Sequence, residues 1–264
     1  MIELNNIHVT FNKGTPLETR ALRGVDLTVP QGQFITVIGS NGAGKSTALN
    51  VMAGLAPVEQ GSVTLDGQDV TSWPVHRRAR FISRVFQDPK MGTCEDLTII
   101  ENFALAHGRT QPKGFRFAIA KSMREHAADR LRILGLGLEN RLDDKVGLLS
   151  GGQRQAVSLL MATTGDTRVL LLDEHTAALD PKTADFVLET TRSIVERLHL
   201  TAVMVTHSMA QALSTGERTI MFHRGKIIFN AAGEERASMS VEDLLHLFKK
   251  TQGEELSDDS LLLG

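Results

Sequence analysis

Three short stretches of this 264-residue chain hold side chains whose types and spacing can do chemistry. The first is "GSNGAGKST", which sets Gly39 and Gly44 five residues apart and follows them with Lys45 and Ser46. A compact β-branched run, "FITVIG", precedes it, and "TALNVMAGL" with helical composition follows. In that strand–loop–helix context the glycines let the backbone wrap a phosphate, and the helix N-terminus points N–H groups at its oxygens. Lys45 is placed to reach β- and γ-phosphates, and the Ser46 hydroxyl to ligate Mg²⁺. The whole cradle spans Gly39, Ser40, Asn41, Gly42, Ala43, Gly44, Lys45, Ser46 and Thr47.

The second stretch is "VLLLDEHTAALDP", residues 169–181, where an aliphatic run ends in two carboxylates, Asp173 and Glu174. A short apolar run without alternation reads as a strand buried on both faces. Its end is a natural place to surface, so acids there need no function by themselves. Beside a phosphate cradle they acquire one. A carboxylate at the end of a neighbouring parallel strand holds Mg²⁺, which suits Asp173. Glu174, on the other side of the backbone, would face the attacking water and accept its proton. A second acid favours hydrolysis over transfer to another substrate. The third stretch, "LLSGGQRQAVSLLMA", opens a helix at Ser150, Gly151, Gly152 and Gln153. It can be an ordinary serine cap, and it can equally be a second anion cradle: a hydroxyl, small residues and a bare helix end. Two cradles around one nucleotide make sense if two copies exchange them head to tail, which predicts a C2 nucleotide-sandwich dimer.

These residues need a scaffold, and the chain supplies alternating patterns for one. Strand character runs through "IELNNIHVTF", "ALRGVDLTV", "FITVIG", "GSVTLDGQDV" with its Asp66-Gly67 turn, and "FISRVFQ". From about residue 88 to 161 the character is helical, with "DLTIIENFALA" and "FAIAKSMREHAADRLRILGLG". The basic residues of the latter (Arg116, Lys121, Arg124, Arg130, Arg132) read as a solvated face. Strand and helix alternate again in "RVLLLD", "PKTADFVLETTRSIVERL", "TAVMVTH", "MAQALS", "RTIMFH" and "KIIFN", the last two joined by an Arg224-Gly225 turn. The expected class is α/β: a mainly parallel core sheet covered on both faces, an antiparallel β subdomain, and a helical subdomain inserted at about 88–161. The main domain is expected over 1–235. Residues 236–264 are expected to hold a short helix at about 241–249 and a loose acidic tail.

Composition narrows the function. A net charge of −2 argues against nonspecific nucleic-acid binding. The single cysteine, Cys94, forms no intrachain disulfide and reads as a small core or loop residue. The N-terminus lacks a basic n-region and a long apolar core, so it does not read as a signal peptide. No window approaches about 18 consecutive apolar residues. Work at a membrane would therefore require another polypeptide, and a cytoplasmic location is expected.

With "GSNGAGKST", Gln87 in "VFQDP", "LSGGQ", "VLLLDE", "ALD" and His207 in "VTHSM" in this order, the chain resembles ATP-binding cassette (ABC) ATPases over about residues 2–230. The resemblance implies ATP and Mg²⁺ as ligands and a P-loop NTPase fold. It implies Gln87 contacting Mg²⁺ or the attacking water, with Ser46 and Asp173 as the other metal-side groups. It implies catalytic roles for Glu174 and His207, the latter holding the γ-phosphate and positioning Glu174; taken alone His207 is a polar residue surfacing after a strand. Ser150, Gly151, Gly152 and Gln153 would complete the partner's ATP site, and Asp180 would cross the dimer interface. The family usually stacks tyrosine on adenine; this chain has no tyrosine, and Phe11 stands at the matching place, with a core phenylalanine as the alternative. His175 replaces the proline common after the catalytic glutamate, and "QRQAVSLLMAT" departs from the usual continuation of the signature. These features, with "VFQDPKMGT" and "WPVHRRA", resemble a bacterial subgroup tied to amino-acid uptake of the tryptophan or tyrosine type. The partners implied are a second copy, a membrane permease and an extracytoplasmic substrate-binding protein, with the chain on the cytoplasmic side of the membrane. An exporter ATPase or a soluble single cassette on a cytosolic scaffold are the alternative readings.

Overall fold

The computed structural model describes residues 1–109 and 119–250. The first half lays down β1 (Ile2–Phe11), β2 (Thr19–Val29), β3 (Phe34–Gly39), α1 (Lys45–Ala53), β4 (Gln60–Leu65), β5 (Gln68–Asp69), α2 (Val75–Arg78) and β6 (Ile82–Val85). Helices α3 (Ile99–Gly108), α4 (Lys121–Arg132) and α5 (Gly151–Ala162) come next. Then follow β7 (Val169–Asp173), α6 (Pro181–Leu198), β8 (Thr201–Val205), α7 (Met209–Ser214), β9 (Arg218–His223), β10 (Lys226–Ala232) and α8 (Gly233–Ala237). A further helical stretch covers 241–250.

The strands form two sheets. One is antiparallel in the order β2-β1-β4-β5; the other runs β10-β9-β3-β8-β7-β6. In the second, β9, β3, β8, β7 and β6 pair in parallel, and only the β9–β10 hairpin is antiparallel. The apolar runs without alternation become its centre, because both faces are covered. In β7, Val169 and Leu171 join a core shared with β1, β2, β4 and α1. Leu170 and Leu172 face the opposite core, built with α3, α4, α5 and α6. The two-residue period of a strand then puts Asp173 on the side of α1. It lies opposite Val205 at the end of β8, and Val205 in turn lies opposite Val37 in β3.

Local signals account for the helix starts that matter. Thr98 caps α3 and Ser150 caps α5, each reciprocated by the residue three positions on, Glu101 and Gln153. Asp180 caps α6, with Pro181 at its first position. One expectation changes. Arg130 is not on a solvated face: its guanidinium reaches the C-terminus of α5, donating to the Thr163 carbonyl at 3.2 Å and the Thr163 hydroxyl at 2.6 Å. Of the same series, Lys121 and Arg132 stay exposed, Arg124 pairs with exposed Asp143, and Arg116 falls outside the described residues. Cys94 is exposed in the loop before α3, the loop position of its two readings. The short helices α2 and α8 lack a periodic pattern long enough to announce them. The acidic tail from residue 251 on lies outside the described residues.

Candidate nucleotide site

The loop between β3 and α1 is shaped by positions that admit no side chain. Gly39 has φ 147°, and a Cβ there would meet the Phe222 carbonyl oxygen at 2.3 Å. Gly44 has φ 104°, and its Cβ would meet the Ala21 carbonyl oxygen at 2.7 Å. Both values lie where L side chains are strained. Gly44 immediately precedes α1, whose first-turn N–H groups have no carbonyl within the helix to accept them. Lys45 folds back over the loop, its ammonium donating to the Gly39 and Ser40 carbonyls at 2.8 and 2.9 Å. Burial pushes the Lys45 pKa below its ordinary value, and the nearby Glu174 and Asp173 carboxylates partly oppose that shift. The result is a cationic group held at the centre of a ring of backbone dipoles.

The two acids at the end of β7 diverge as their adjacent positions require. Asp173 Oδ1 stands 3.5 Å from the Ser46 hydroxyl of α1. Glu174 leaves the strand with φ 51°, in the left-handed region, while its N–H remains bonded to the Val205 carbonyl at 3.0 Å. That turn carries its carboxylate to His207, whose Nε2 lies 2.6 Å from Glu174 Oε1. A non-glycine residue in this conformation costs on the order of 1 kcal/mol or more and persists only where its neighbours over-determine it. Here the next residue does so. His175 is fully buried and bonded through Nε2 to the Thr191 hydroxyl of α6 at 3.0 Å. The Thr191 hydroxyl itself donates to the Val187 carbonyl at 2.8 Å, so it must accept from an Nε2–H tautomer of His175. Burial pushes the His175 pKa down to about 4, so the ring is neutral in the fold.

The cradle, Asp173, Glu174 and His207 are therefore gathered at one place. Phe11 ends β1 with 36% of its surface exposed, outside the core and free to present its ring. Gln87 is exposed just beyond β6. Ser150, Gly151 and Gly152 lie with Asp180 instead. A Cβ on Gly151 would sit 3.4 Å from Leu179, and one on Gly152 would overlap Thr183 at 2.1 Å. Gly152 is thus demanded by the packing of α5 on α6, whatever else it does. Ser150 Oγ accepts from Gln153 N at 3.3 Å, and Gln153 Oε1 accepts from Ser150 N at 3.2 Å. Asp180 Oδ1 accepts from Thr183 N at 3.1 Å, and its bonds to Thr183 hold its carboxyl below the usual range. Among the described residues no hydrogen bond or ion pair joins Ser150 or Asp180 to Ser46, Asp173, Glu174 or His207.

Two features escape a reading of motifs. Arg84 of β6 forms an ion pair with Asp173 Oδ2 and donates to Asn50 Oδ1 at 2.5 Å. Its only sequence signal is an arginine inside a short, largely buried strand. Arg154, one residue past Gln153, pairs with Glu95 and donates to the Gly147 carbonyl at 3.1 Å. Together with Gln155 Nε2 donating to the Phe86 carbonyl at 3.0 Å, this ties α5 to the segment around Gln87.

Comparison with known proteins agrees with this arrangement. A family model described as "ABC transporter" matches residues 22–177. The tyrosine transport ATP-binding protein of Clostridioides difficile (strain R20291) is 40% identical over 253 residues, 94% of this chain and 99% of that one. The sulfate/thiosulfate import ATP-binding protein of Methylococcus capsulatus is 34% identical over 226 residues, 86% of this chain and 61% of that one. Among solved structures, a dimeric ATP-binding cassette in a post-hydrolysis state bound to ADP and Pi matches with a TM-score of 0.75. It is 28% identical, and the match covers 88% of this chain and 98% of that one.

Proposed function

The chain belongs to the ATP-binding cassette family of transporter ATPases, and from that premise we propose that it powers a membrane importer of small solutes, amino acids among them. The observation that carries the site assignment is the convergence of Lys45, Ser46, Asp173 and the Glu174–His207 pair beside a loop that tolerates no side chain at Gly39 or Gly44.

The N–H groups at the start of α1 and the Lys45 ammonium bind the phosphates of ATP, in exchange for the carbonyls that Lys45 now contacts. The hydroxyl of Ser46 and the carboxylate of Asp173 are hard oxygen donors 3.5 Å apart, a donor set that fits Mg²⁺. Ser46, Asp173 and Gln87 would hold the ion, which when bound neutralises charge on the phosphate oxygens. Glu174 orients the attacking water and takes its proton, and His207 fixes the carboxylate through Oε1. Phe11 stacks on adenine. Ser150, Gly151, Gly152 and Gln153 serve the ATP of a second copy, with Asp180 crossing between the two. The placement of that group at the starts of α5 and α6, with the cradle and the two acids at the ends of β3 and β7, supports this sharing.

Among the described residues no helix is long and apolar enough to cross a membrane, so the transport path belongs to a permease. A groove of about 260 Å³ between the segment after Gln87 and α3 and α5 is lined by Met91, Cys94 and Leu105. Met91 is 69% and Leu105 60% exposed, apolar surface suited to a permease segment on the cytoplasmic side. Residues 88–161 then act as the subdomain that relays its position to Ser150. The tyrosine-transport relative supports an amino-acid cargo and, with it, an extracytoplasmic binding protein. Purifying the tagged chain from detergent-solubilised membranes should bring down an integral membrane protein, and the associated binding protein should carry an amino acid. Recovery with soluble proteins alone would contradict the transporter reading.

A further inference from the structure

Arg84 and Asp173 form a largely buried ion pair, with 13% and 16% of their side chains exposed. One guanidinium nitrogen of Arg84 is on Asp173 Oδ2, the other on Asn50 Oδ1 at 2.5 Å, and the plane lies over the Phe86 ring with Cζ 4.9 Å from its centroid. The remaining Asp173 oxygen faces the Ser46 hydroxyl. Arg84 Nε is buried without an acceptor, so the guanidinium is held at its two ends and not locked along its whole edge. The same side chain also lines the groove with Met91 and Leu105.

We propose that Arg84 is a counter-ion that holds Asp173 until Mg²⁺ arrives with the nucleotide, and so sets the Mg²⁺ concentration at which the nucleotide is bound. The inference rests on the assignment of Asp173 to the metal. A lone carboxylate beside the cradle would repel a triphosphate, and Arg84 cancels that charge in advance. A dication approaching the same carboxylate meets the guanidinium as a like charge and must draw Asp173 away from it. In a largely buried site such a repulsion is worth on the order of tenfold in affinity. Asn50 and the Phe86 ring keep Arg84 in place once its anion is shared or lost. Arg84 is a positioning residue in this scheme, since it acts through Asp173.

The test is a Mg²⁺ titration of the full chain binding a fluorescent, non-hydrolysable ATP analogue. Arg84→Met should lower the Mg²⁺ midpoint by about tenfold and weaken binding of the analogue in EDTA by a similar factor. Arg84→Lys, which keeps the charge, should stay near the parent on both. A midpoint in Arg84→Met that is unchanged or raised overturns the proposal, because a merely structural role would loosen binding alike with and without metal and would not lower the midpoint. On the unsubstituted chain, the Arg84 Nε–H resonance, identified by its loss in Arg84→Lys, should shift with analogue plus Mg²⁺ and not with analogue in EDTA. A resonance that ignores Mg²⁺ also overturns it. Asp173→Asn separates the two layers. A raised midpoint there sustains the metal assignment even if Arg84 fails, and a midpoint equal to the parent's removes the assignment and the inference together.

Discussion

In the proposed mechanism Lys45, Asp173, Glu174 and His207 each have one role, and each can be removed singly. Glu174 is the group proposed to handle the proton of water, so Glu174→Gln keeps shape and hydrogen bonding to His207 while losing the base. ATP binding should persist and turnover should fall by about 10²-fold or more; single-turnover hydrolysis at the parent's rate would take Glu174 out of the chemistry. Lys45 is assigned to binding and not to proton transfer. Its ammonium forms charge-assisted bonds each worth about 1.5–3 kcal/mol. Lys45→Ala should therefore weaken nucleotide binding by about 10- to 100-fold, read by equilibrium dialysis, and unaltered affinity would count against the cradle. Arg84 shows where residue-level reading of the sequence stops. A glycine–lysine–serine spacing announces a phosphate because the chemistry is local to nine residues. The partner of Arg84 is 89 residues away and becomes visible only when β6 and β7 are laid side by side.

The elements were legible where burial pattern and caps agree. Helix α6 runs over Pro181–Leu198, the span expected from its periodicity, because Asp180 and Pro181 start it and His199, with φ 48°, ends it. The run "VLLLD" was legible as a strand buried on both sides because nothing in it alternates. Arg130 was misplaced because its contact with Thr163 depends on how α4 crosses α5, which no helical wheel contains. His175 was equally opaque: a histidine after an acid gives no sign of total burial. In the structure it pins the turn at Glu174 to α6 through Thr191. This has a consequence for stability. The His175 ring titrates near 4 in the fold and at about 6.5 when unfolded. As pH falls below about 6.5 the unfolded chain takes the proton first, so stability drops progressively until pH reaches about 4 and then no further from this group. The total is on the order of 3 kcal/mol. Urea unfolding of His175→Gln at a series of pH values should show a flatter profile than the parent across that window. Parallel profiles would mean that the ring is not the buried neutral group described here.

At the scale of the whole molecule, the proposed sharing rests on two groups of residues that lie on different elements of one chain. The cradle with Asp173, Glu174 and His207 lies at the ends of β3, β7 and β8, whereas Ser150 and Asp180 lie together at the starts of α5 and α6. Their order along the chain was legible, and it prompts the proposal of exchange between copies, because two anion cradles are more than one nucleotide needs. The ties from Arg154 to Glu95 and from Gln155 to the Phe86 carbonyl were not legible, yet they connect Ser150 to the groove proposed for the permease. ATP closing the pair of chains would thus be felt at the membrane. The direct test is the mass of Glu174→Gln by light scattering, with and without Mg²⁺-ATP, alone and combined with Ser150→Arg. The account predicts a doubled mass only with ATP, abolished by Ser150→Arg while each monomer still binds nucleotide. A Glu174→Gln chain that stays monomeric at saturating ATP, or a Ser150→Arg double variant that dimerises like its parent, would contradict the shared site.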